Sequence, residues 1–289
     1  MERERWLQVY RLLRESDQEY FRGVFSAAAI LGVYFWAVIC DRPTSWACRR
    51  ENWPVATWVG PLPSQATLSR RLRDVRVLAL LNAVELRLRA ADASSADDVK
   101  IIDAKPLPLG GHSKDVDSRW GHGVRNWSRG YKLFAIWTER AALPSAWRVA
   151  AMNVSEQAAA EKMIPTLVGR GYLLGDKLYD INKLYDAAGA VGHQLLAPRK
   201  RPQAGFGSRK HSPARLRGLD FLATPQGQTL HARRDAIERH FGGLTACGGG
   251  LGPLPSWVRR LRRVRLWLHA KILLNALRIR QLHPPPANA

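Results

Sequence analysis

Apolar positions recur at helical spacing from the start of the chain. In residues 1–22 they are Trp6, Val9, Tyr10, Leu13, Tyr20 and Phe21, which predicts an amphipathic helix. A second helix is expected from about Gly23 to Cys40. Asp41, Arg42 and Pro43 stop it, because proline disfavours helix at the residue before it. Residues 41–63 read as a loop rich in Pro and Trp, with Trp46, Trp53 and Trp58 packing onto the helices. Ser64 is a good N-cap for a helix running from Gln65 to Arg73, with Leu68 and Leu72 facing inward. A further helix over about 75–91 ends in Ala91–Asp98, a stretch of Ala, Ser and Asp that reads as a domain boundary.

The pattern then turns extended. Short apolar runs predict strands at Lys100–Asp103, Tyr131–Thr138, Ala146–Met152, Tyr172–Asp176 and His193–Ala197. Ser155, Glu156 and Gln157 cap a helix to about Val168, and another is expected from about Asn182 to Ala188. Three successive strands followed by strands that arrive through helices predict an α/β fold, a mixed sheet with helices on its faces. Pro198–Arg217 reads as a loop. A helix from about Arg233 to Leu244, the glycine run Gly248–Gly250 and a last helix over about 256–282 complete the chain before Pro284–Pro286. That last helix is expected to be basic on one side and apolar on the other, with Leu261, Leu268, Ile272, Leu273 and Leu277 inward.

Composition narrows the partners. The 289 residues carry a net charge of +21, so a polyanion is needed to offset self-repulsion, with nucleic acid ahead of an anionic membrane. The excess is uneven: residues 1–98 hold 14 basic and 12 acidic side chains, 99–245 hold 23 and 12, and 246–289 hold 8 and none. Pro198–Arg217 alone has seven basic residues and no acid. Cys40, Cys48 and Cys247 are odd in number and form no Cys-x-x-Cys, which argues against a disulfide framework or a structural zinc site. The 17 uncharged residues from Val24 to Cys40 sit at the short limit for a spanning helix and are read as buried core. The start of the chain is not read as a signal peptide.

The chemistry lies in carboxylates. Asp103 and Asp176 each end a predicted strand, and the carboxyl edge of an open α/β sheet is where ligands bind. Alone, each reads as a cap of the next turn. Three converging carboxylates repel one another, and Mg²⁺ or Mn²⁺ relieves that repulsion, creating a two-metal site for phosphoryl transfer. The third acid is Glu238, on a helix whose stripe is Ile237, Phe241 and Leu244; Arg234 lies four residues before it. That pair reads either as a surface ion pair or as an arginine that orients the glutamate or grips a phosphate. On the Gln65–Arg73 helix, Gln65, Ser69, Arg70 and Arg73 face out, as in a DNA-reading helix or an ordinary solvated face. No two histidines have the spacing of a helical zinc pair.

The series Ile101-Ile102-Asp103-Ala104-Lys105-Pro106-Leu107, Gly130-Tyr131-Lys132-Leu133, Leu174-Gly175-Asp176-Lys177-Leu178-Tyr179-Asp180 and Ile237-Glu238-Arg239-His240-Phe241 resembles bacterial insertion-sequence transposases of the Asp-Asp-Glu class. One branch carries a Tyr-Arg-Glu-Lys signature. Arg234 and Glu238 match it, while His231 stands at the tyrosine position and Thr245 at the lysine position. The resemblance implies a ribonuclease H-like catalytic domain over 99–289, including the last helix, preceded by a helical DNA-binding region over 1–98. It implies Asp103, Asp176 and Glu238 as catalytic ligands of two Mg²⁺ ions, with Mn²⁺ able to substitute. Strand cleavage at the transposon ends, then attack of the freed 3′-hydroxyl on target DNA, is the implied reaction. The implied partners are double-stranded DNA, as terminal inverted repeats and target, and a second copy of the chain in a homodimer. DNA contacts are expected from Arg234, His231, Lys105, Lys132, Lys177, Arg199, Lys200, Arg201 and Arg239, from Arg70, Arg71 and Arg73, and from the backbone-gripping last helix. The expected setting is the cytoplasm, at the bacterial nucleoid, without membrane. The alternatives are an inactive or domesticated transposase that only binds DNA, another ribonuclease H-like nuclease, and a membrane-anchored protein.

Overall fold

The computed structural model describes residues 1–17, 24–58, 60–90, 99–110, 112–123, 126–206 and 210–282. Tyr20, Phe21, the boundary at Ala91–Asp98 and Pro284–Pro286 lie outside these residues. The chain divides into two compact units. One holds Met1–Ala93, Gly243–Leu251 and Pro255–Ala289; the other holds Ser94–Gly242 and Gly252–Leu254.

The first unit is helical. Helix α1 (Glu2–Ser16) buries Trp6, Val9 and Leu13. Helix α2 (Ala27–Ile39) begins at Ser26, whose hydroxyl accepts the Ala29 N–H at 3.1 Å, and is buried on almost every side. Asp41, at φ 49°, turns the chain out of it. Among the described residues no helix is long and apolar enough to cross a membrane. The tryptophans pack as expected: Trp6 stacks on Tyr10 and meets Trp53 and Trp58 edge-on, while Trp36 stacks on Trp46 and Trp53. Gly32 permits this, because a Cβ there would lie 2.7 Å from the Tyr10 ring. Helices α3 (Thr44–Ala47), α4 (Gln65–Arg71) and α5 (Val75–Ala90) follow. The Ser64 hydroxyl caps α4 by accepting the Thr67 N–H, and Leu68 and Leu72 point inward.

Helix α11 (Leu261–Leu282) is grouped with this unit. It packs on α1, α2 and α5, so it falls with the N-terminal helices instead of the sheet. It is also buried all round from Leu266 to Ala276, against the expectation of a basic side; Arg262, Arg263 and Arg265 near its start and Gln281 and Leu282 at its end are exposed. A helix apolar around its whole circumference belongs in a core. The polar residues inside it are partnered: His269 meets Glu85 at 2.8 Å, and Lys271 donates to the carbonyls of Leu244, Cys247 and Gly249 at 3.1, 2.5 and 2.7 Å. Burial pushes the Lys271 ammonium down to about 8.

The second unit is built on a mixed sheet of strands β1 (Val99–Pro108), β2 (Arg119–His122), β3 (Trp127–Thr138), β4 (Ala146–Ala151), β5 (Gly171–Leu174) and β6 (His193–Leu196). The order is β2-β3-β1-β5-β6, with β4 also paired to β3. Strands β1, β2 and β4 run antiparallel to β3, and β5 runs parallel to both β1 and β6. Helices α6 (Glu156–Met163) and α7 (Asn182–Ala190) cover one face, burying Ala160, Met163, Leu184 and Tyr185 against Ile102, Phe134 and Ile136. Helices α8 (Pro213–Leu222), α9 (Pro225–Ala232) and α10 (Ala236–Gly243) complete the unit. This mixed α/β sheet flanked by helices fits the expected ribonuclease H-like class. Three details differ: β2 is an additional strand, β1 continues past Asp103, and α8 begins inside the expected loop.

Lys271→Met keeps the volume of the side chain but leaves three buried carbonyls without their donor. We expect a loss of about 2–4 kcal/mol, read as a lowered midpoint in urea denaturation. An unchanged midpoint would show that the ammonium contributes nothing to holding 244–249.

Candidate active site

Strand pairing positions the two aspartates. The β1–β5 ladder runs Val99↔Tyr172, Lys100↔Leu173, Ile101↔Leu174 and then stops. Asp103 and Asp176 each lie two residues past that last pair, on neighbouring strand paths. Asp176 leaves the sheet there, whereas Asp103 is mid-strand, paired with Ala135 on β3. The expectation that β1 ends at Asp103 is therefore replaced by a parting of strands: β3 continues to pair with β1 after β5 has left. Each carboxylate is oriented by backbone. Asp103 Oδ1 accepts the Ala104 N–H at 2.8 Å, and Asp176 Oδ1 accepts the Leu178 N–H at 2.7 Å.

A third carboxylate stands with them that sequence reasoning treated only as a helix cap. Glu156 opens α6 behind Ser155, and its Oε1 lies 3.7 Å from the Nζ of Lys132. The Tyr179 hydroxyl bonds to it. Burial raises the Glu156 pKa, Lys132 opposes the rise, and Asp176 adds to it. Burial likewise pushes the Asp103 carboxyl up to about 6; Glu156 and Asp176 push the same way, against the Ala104 N–H and Arg234. An acid at the first turn of a helix looks like an ordinary macrodipole partner. Nothing local in the sequence says that this one faces the aspartates.

Glu238 comes from α10. Its carboxylate is 66% exposed and sits 3.7 Å from Lys105 Nζ, while Arg234 NH1 lies 3.9 Å from Asp103 Oδ2. The match is geometric. Two residues along a strand and one turn of helix both span roughly 6 Å, so Asp103 and Lys105 on β1 face Arg234 and Glu238 one to one. Three bonds set this register. His231 Nε2 donates to the Gly175 carbonyl at 2.9 Å, Arg233 Nε donates to Glu139 Oε2 at 2.9 Å, and His240 bonds the Glu139 carbonyl at 3.0 Å. His240 also stacks on Trp137, and burial lowers its pKa to about 4. His231, expected at DNA, is thus tied to the strand end beside Asp176.

The remaining predicted residues are spread out. Lys132 is buried against Glu156 and presents no ammonium at the surface. Lys177, Lys200, Arg201 and Arg239 are exposed. Arg199 lies over the Phe206 ring at 4.3 Å. The basic segment is anchored by Asp180, which accepts the Lys200 N–H at 3.0 Å and a two-pronged pair from Arg215 at 2.6 and 2.8 Å. In the helical unit Arg70 and Arg73 are exposed, Arg71 pairs with Asp74 at 3.4 Å, and Arg73 and Arg263 lie close enough to Arg262 to lower its pKa, after burial.

Carboxylate oxygens in a crowded, poorly solvated pair are the hard donors that suit Mg²⁺ or Mn²⁺, so Asp103 and Asp176 fit a divalent ion. The expected convergence of all three predicted acids is absent: Glu238 is turned to Lys105, and among the described residues no three His, Cys, Asp or Glu side chains stand close enough to share a metal.

Paired aspartates where two central strands part, faced by a helix-borne arginine and glutamate on a mixed sheet, suit a ribonuclease H-like domain that acts on polynucleotides. The sequence matches the family described as Transposase DDE domain over residues 94–274, more than half of the chain, and the protein belongs to that family. It is a transposase by family, with DNA as the partner and divalent metal as the cofactor that such proteins use. No curated protein matches it, and no solved structure does.

Asp103→Asn tests the crowding. An unfolded aspartate titrates near 3.9, below the folded value of about 6, so the folded state holds its proton longer. Stability therefore falls as pH rises from roughly 4 to 6 and stays lowered above that. Asparagine removes this cost. In chelator, we expect the variant to be about 1–3 kcal/mol more stable than wild type at pH 7 and no more stable at pH 4, read from thermal melts. A variant less stable at pH 7 would mean that the charge is well compensated.

Proposed function

We propose that this chain is a catalytically competent transposase that cuts DNA at terminal inverted repeats and joins the freed end to target DNA, with Asp103, Asp176 and Glu238 as its catalytic carboxylates. The observation that carries the reading is the placement of Asp103 and Asp176 just beyond the last β1–β5 pair, with Arg234 and Glu238 over the same stretch of β1. Two Mg²⁺ ions held by these carboxylates would supply charge stabilisation for the attacking and leaving oxygens of an in-line displacement.

The chain's own groups do the positioning. Ala104 and Leu178 each hold one carboxylate oxygen, of Asp103 and Asp176 respectively. Arg234 partly neutralises Asp103. Lys105 engages Glu238 and must release it for the carboxylate to join the aspartates; a DNA phosphate is the natural new partner for that ammonium. In the joining step the 3′-hydroxyl oxygen bonds to the target phosphorus, its proton is lost, and the target's bridging oxygen leaves as a new 3′-end. Arg199, Lys200, Arg201, Lys177 and Arg239 would hold backbone near the site. Arg70 and Arg73 with Arg262 and Arg263 would do so in the helical unit, where α4 is the proposed reader of the repeat. A homodimer holding two DNA ends completes the reading.

A second reading has its own support. Glu238 is committed to Lys105, and the lysine position of the family signature is Thr245, so the chain could bind DNA without cutting it.

The deciding measurement is Mg²⁺-dependent nicking of terminal-repeat duplex. We expect activity in wild type and a loss of at least about a hundredfold in Asp103→Ala, Asp176→Ala and Glu238→Ala, the scale of losing several kcal/mol of metal-borne stabilisation. Binding without nicking by wild type would favour the second reading. Equal nicking by wild type and Asp103→Ala would sink the carboxylate assignment. Binding itself should weaken by about a thousandfold or more between 50 and 200 mM salt if six or more phosphates are neutralised.

A further inference from the structure

We propose that the β2–β3 hairpin is a stacking surface for unpaired nucleobases of the DNA substrate, with Trp120 and Trp127 as its platforms. The proposal rests on the transposase reading and adds to it a preference for DNA with a single-stranded portion.

Trp120 is 62% exposed and Trp127 is 64% exposed, in a protein whose other tryptophans include Trp6, Trp137 and Trp267 at the centre of its cores. Strand register explains why they stand out. Trp120 pairs with Arg129, and His122 pairs with Trp127, so these four share one face of the hairpin; Arg119, Gly121, Ser128 and Gly130 share the other. That second face is closed. A Cβ on Gly121 would lie 2.5 Å from the Met152 carbonyl oxygen, and one on Gly130 would run into the carbonyl of Leu107. With one side sealed by backbone, the aromatic side faces solvent.

The exposed side is organised. The His122 ring lies parallel to Trp127, with centroids 5.0 Å apart and 17° between planes. Arg129, the register partner of Trp120, is fixed by bonds to the Ser118 hydroxyl and the Ser113 and Asp115 carbonyls, so it braces the hairpin. Arg119 and Arg129 stand on the hairpin itself and no acid lies between Ser118 and Thr138, which suits a polyanion and disfavours an acidic partner. Flat aromatic rings beside basic side chains bind bases through their π-faces, without regard to sequence. In paired DNA those faces are hidden in the stack.

Position ties the surface to the site. Register partners share a face, so Trp127, Ala135 and Asp103 lie on the same side of the sheet. Eight residues of β3 separate Trp127 from Ala135, about 26 Å at strand spacing. A base stacked on Trp127 would sit roughly eight base pairs from the aspartates, at 3.4 Å per pair.

The test is an anisotropy titration of the full-length protein with terminal-repeat duplex, blunt or carrying a single-stranded tail. Wild type should bind the tailed DNA about tenfold more tightly. The Trp120→Ala/Trp127→Ala double variant should lose that preference while keeping its blunt-duplex affinity, and Trp127→Phe, which retains a ring, should keep most of it. The proposal is overturned if wild type shows no preference, if the double variant keeps it, or if the double variant weakens both DNAs equally. Wild type that binds neither DNA would instead bring down the transposase reading, and this surface with it.

Discussion

The sheet unit depends on one pairing arrangement: β1 is shared by an antiparallel partner over almost its whole length and a parallel partner over its first three residues. Nine register pairs, from Lys100↔Thr138 to Pro108↔Gly130, lock β1 to β3. β5 accompanies it only to Ile101↔Leu174. Where β5 departs, β1 has a free edge at Asp103, and the departing chain carries Asp176 past that edge. The gap is where two carboxylates can meet without breaking either ladder. A β1 that ended with β5 would lose the platform on which Lys105 faces Glu238.

The same gap concentrates charge that the fold does not fully compensate. Asp103, Asp176 and Glu156 lie near one another, while Lys132 and Tyr179 bond to Glu156 and Arg234 only approaches Asp103. The result is an Asp103 carboxyl that resists ionisation. Such a site is poised to take up cations, and it costs stability while none is bound. Glu156, held by a buried lysine and a buried tyrosine, is the best fixed of the three and the least free to change partners.

Much of this was legible in the sequence, and the failures share a cause. Ser64 starts a helix where a short polar cap precedes an apolar run, and α2 ends before Asp41 and Pro43 as expected, although it begins at Ser26 and not at Gly23. The motifs around Asp103, Asp176 and Glu238 identified the family before any coordinates. Ser212-Pro213 carried the same start signal and its hydroxyl does cap a helix, yet the basic run around it read as loop, and Thr224, which caps the next helix, fell in a stretch given no element. Composition outweighed capping there, wrongly. For α11 the error was tertiary. A basic side was expected along the helix, but Lys271, His269 and Asn275 are buried, and no window of sequence reveals the three carbonyls that receive Lys271. Glu156 was hidden for a similar reason, since its neighbours at Asp103 and Asp176 are far away along the chain.

The position of Glu238 follows from how α10 is attached. His231 and Arg233 fasten the approach to the helix at opposite ends of the sheet's central strands, one at Gly175 beside Asp176 and one at Glu139 after β3. His240 adds a bond to Glu139 and a stack on Trp137 from within the helix itself. With both sides pinned, the helix has little freedom to slide along β1, so any movement of Glu238 toward the aspartates would be a change of rotamer. Its exposure permits that motion, and the 3.7 Å contact to Lys105 is the interaction opposing it. An exposed ion pair of this kind is worth at most about 1 kcal/mol. A phosphate competing for Lys105 would then be enough to free Glu238 from that pair.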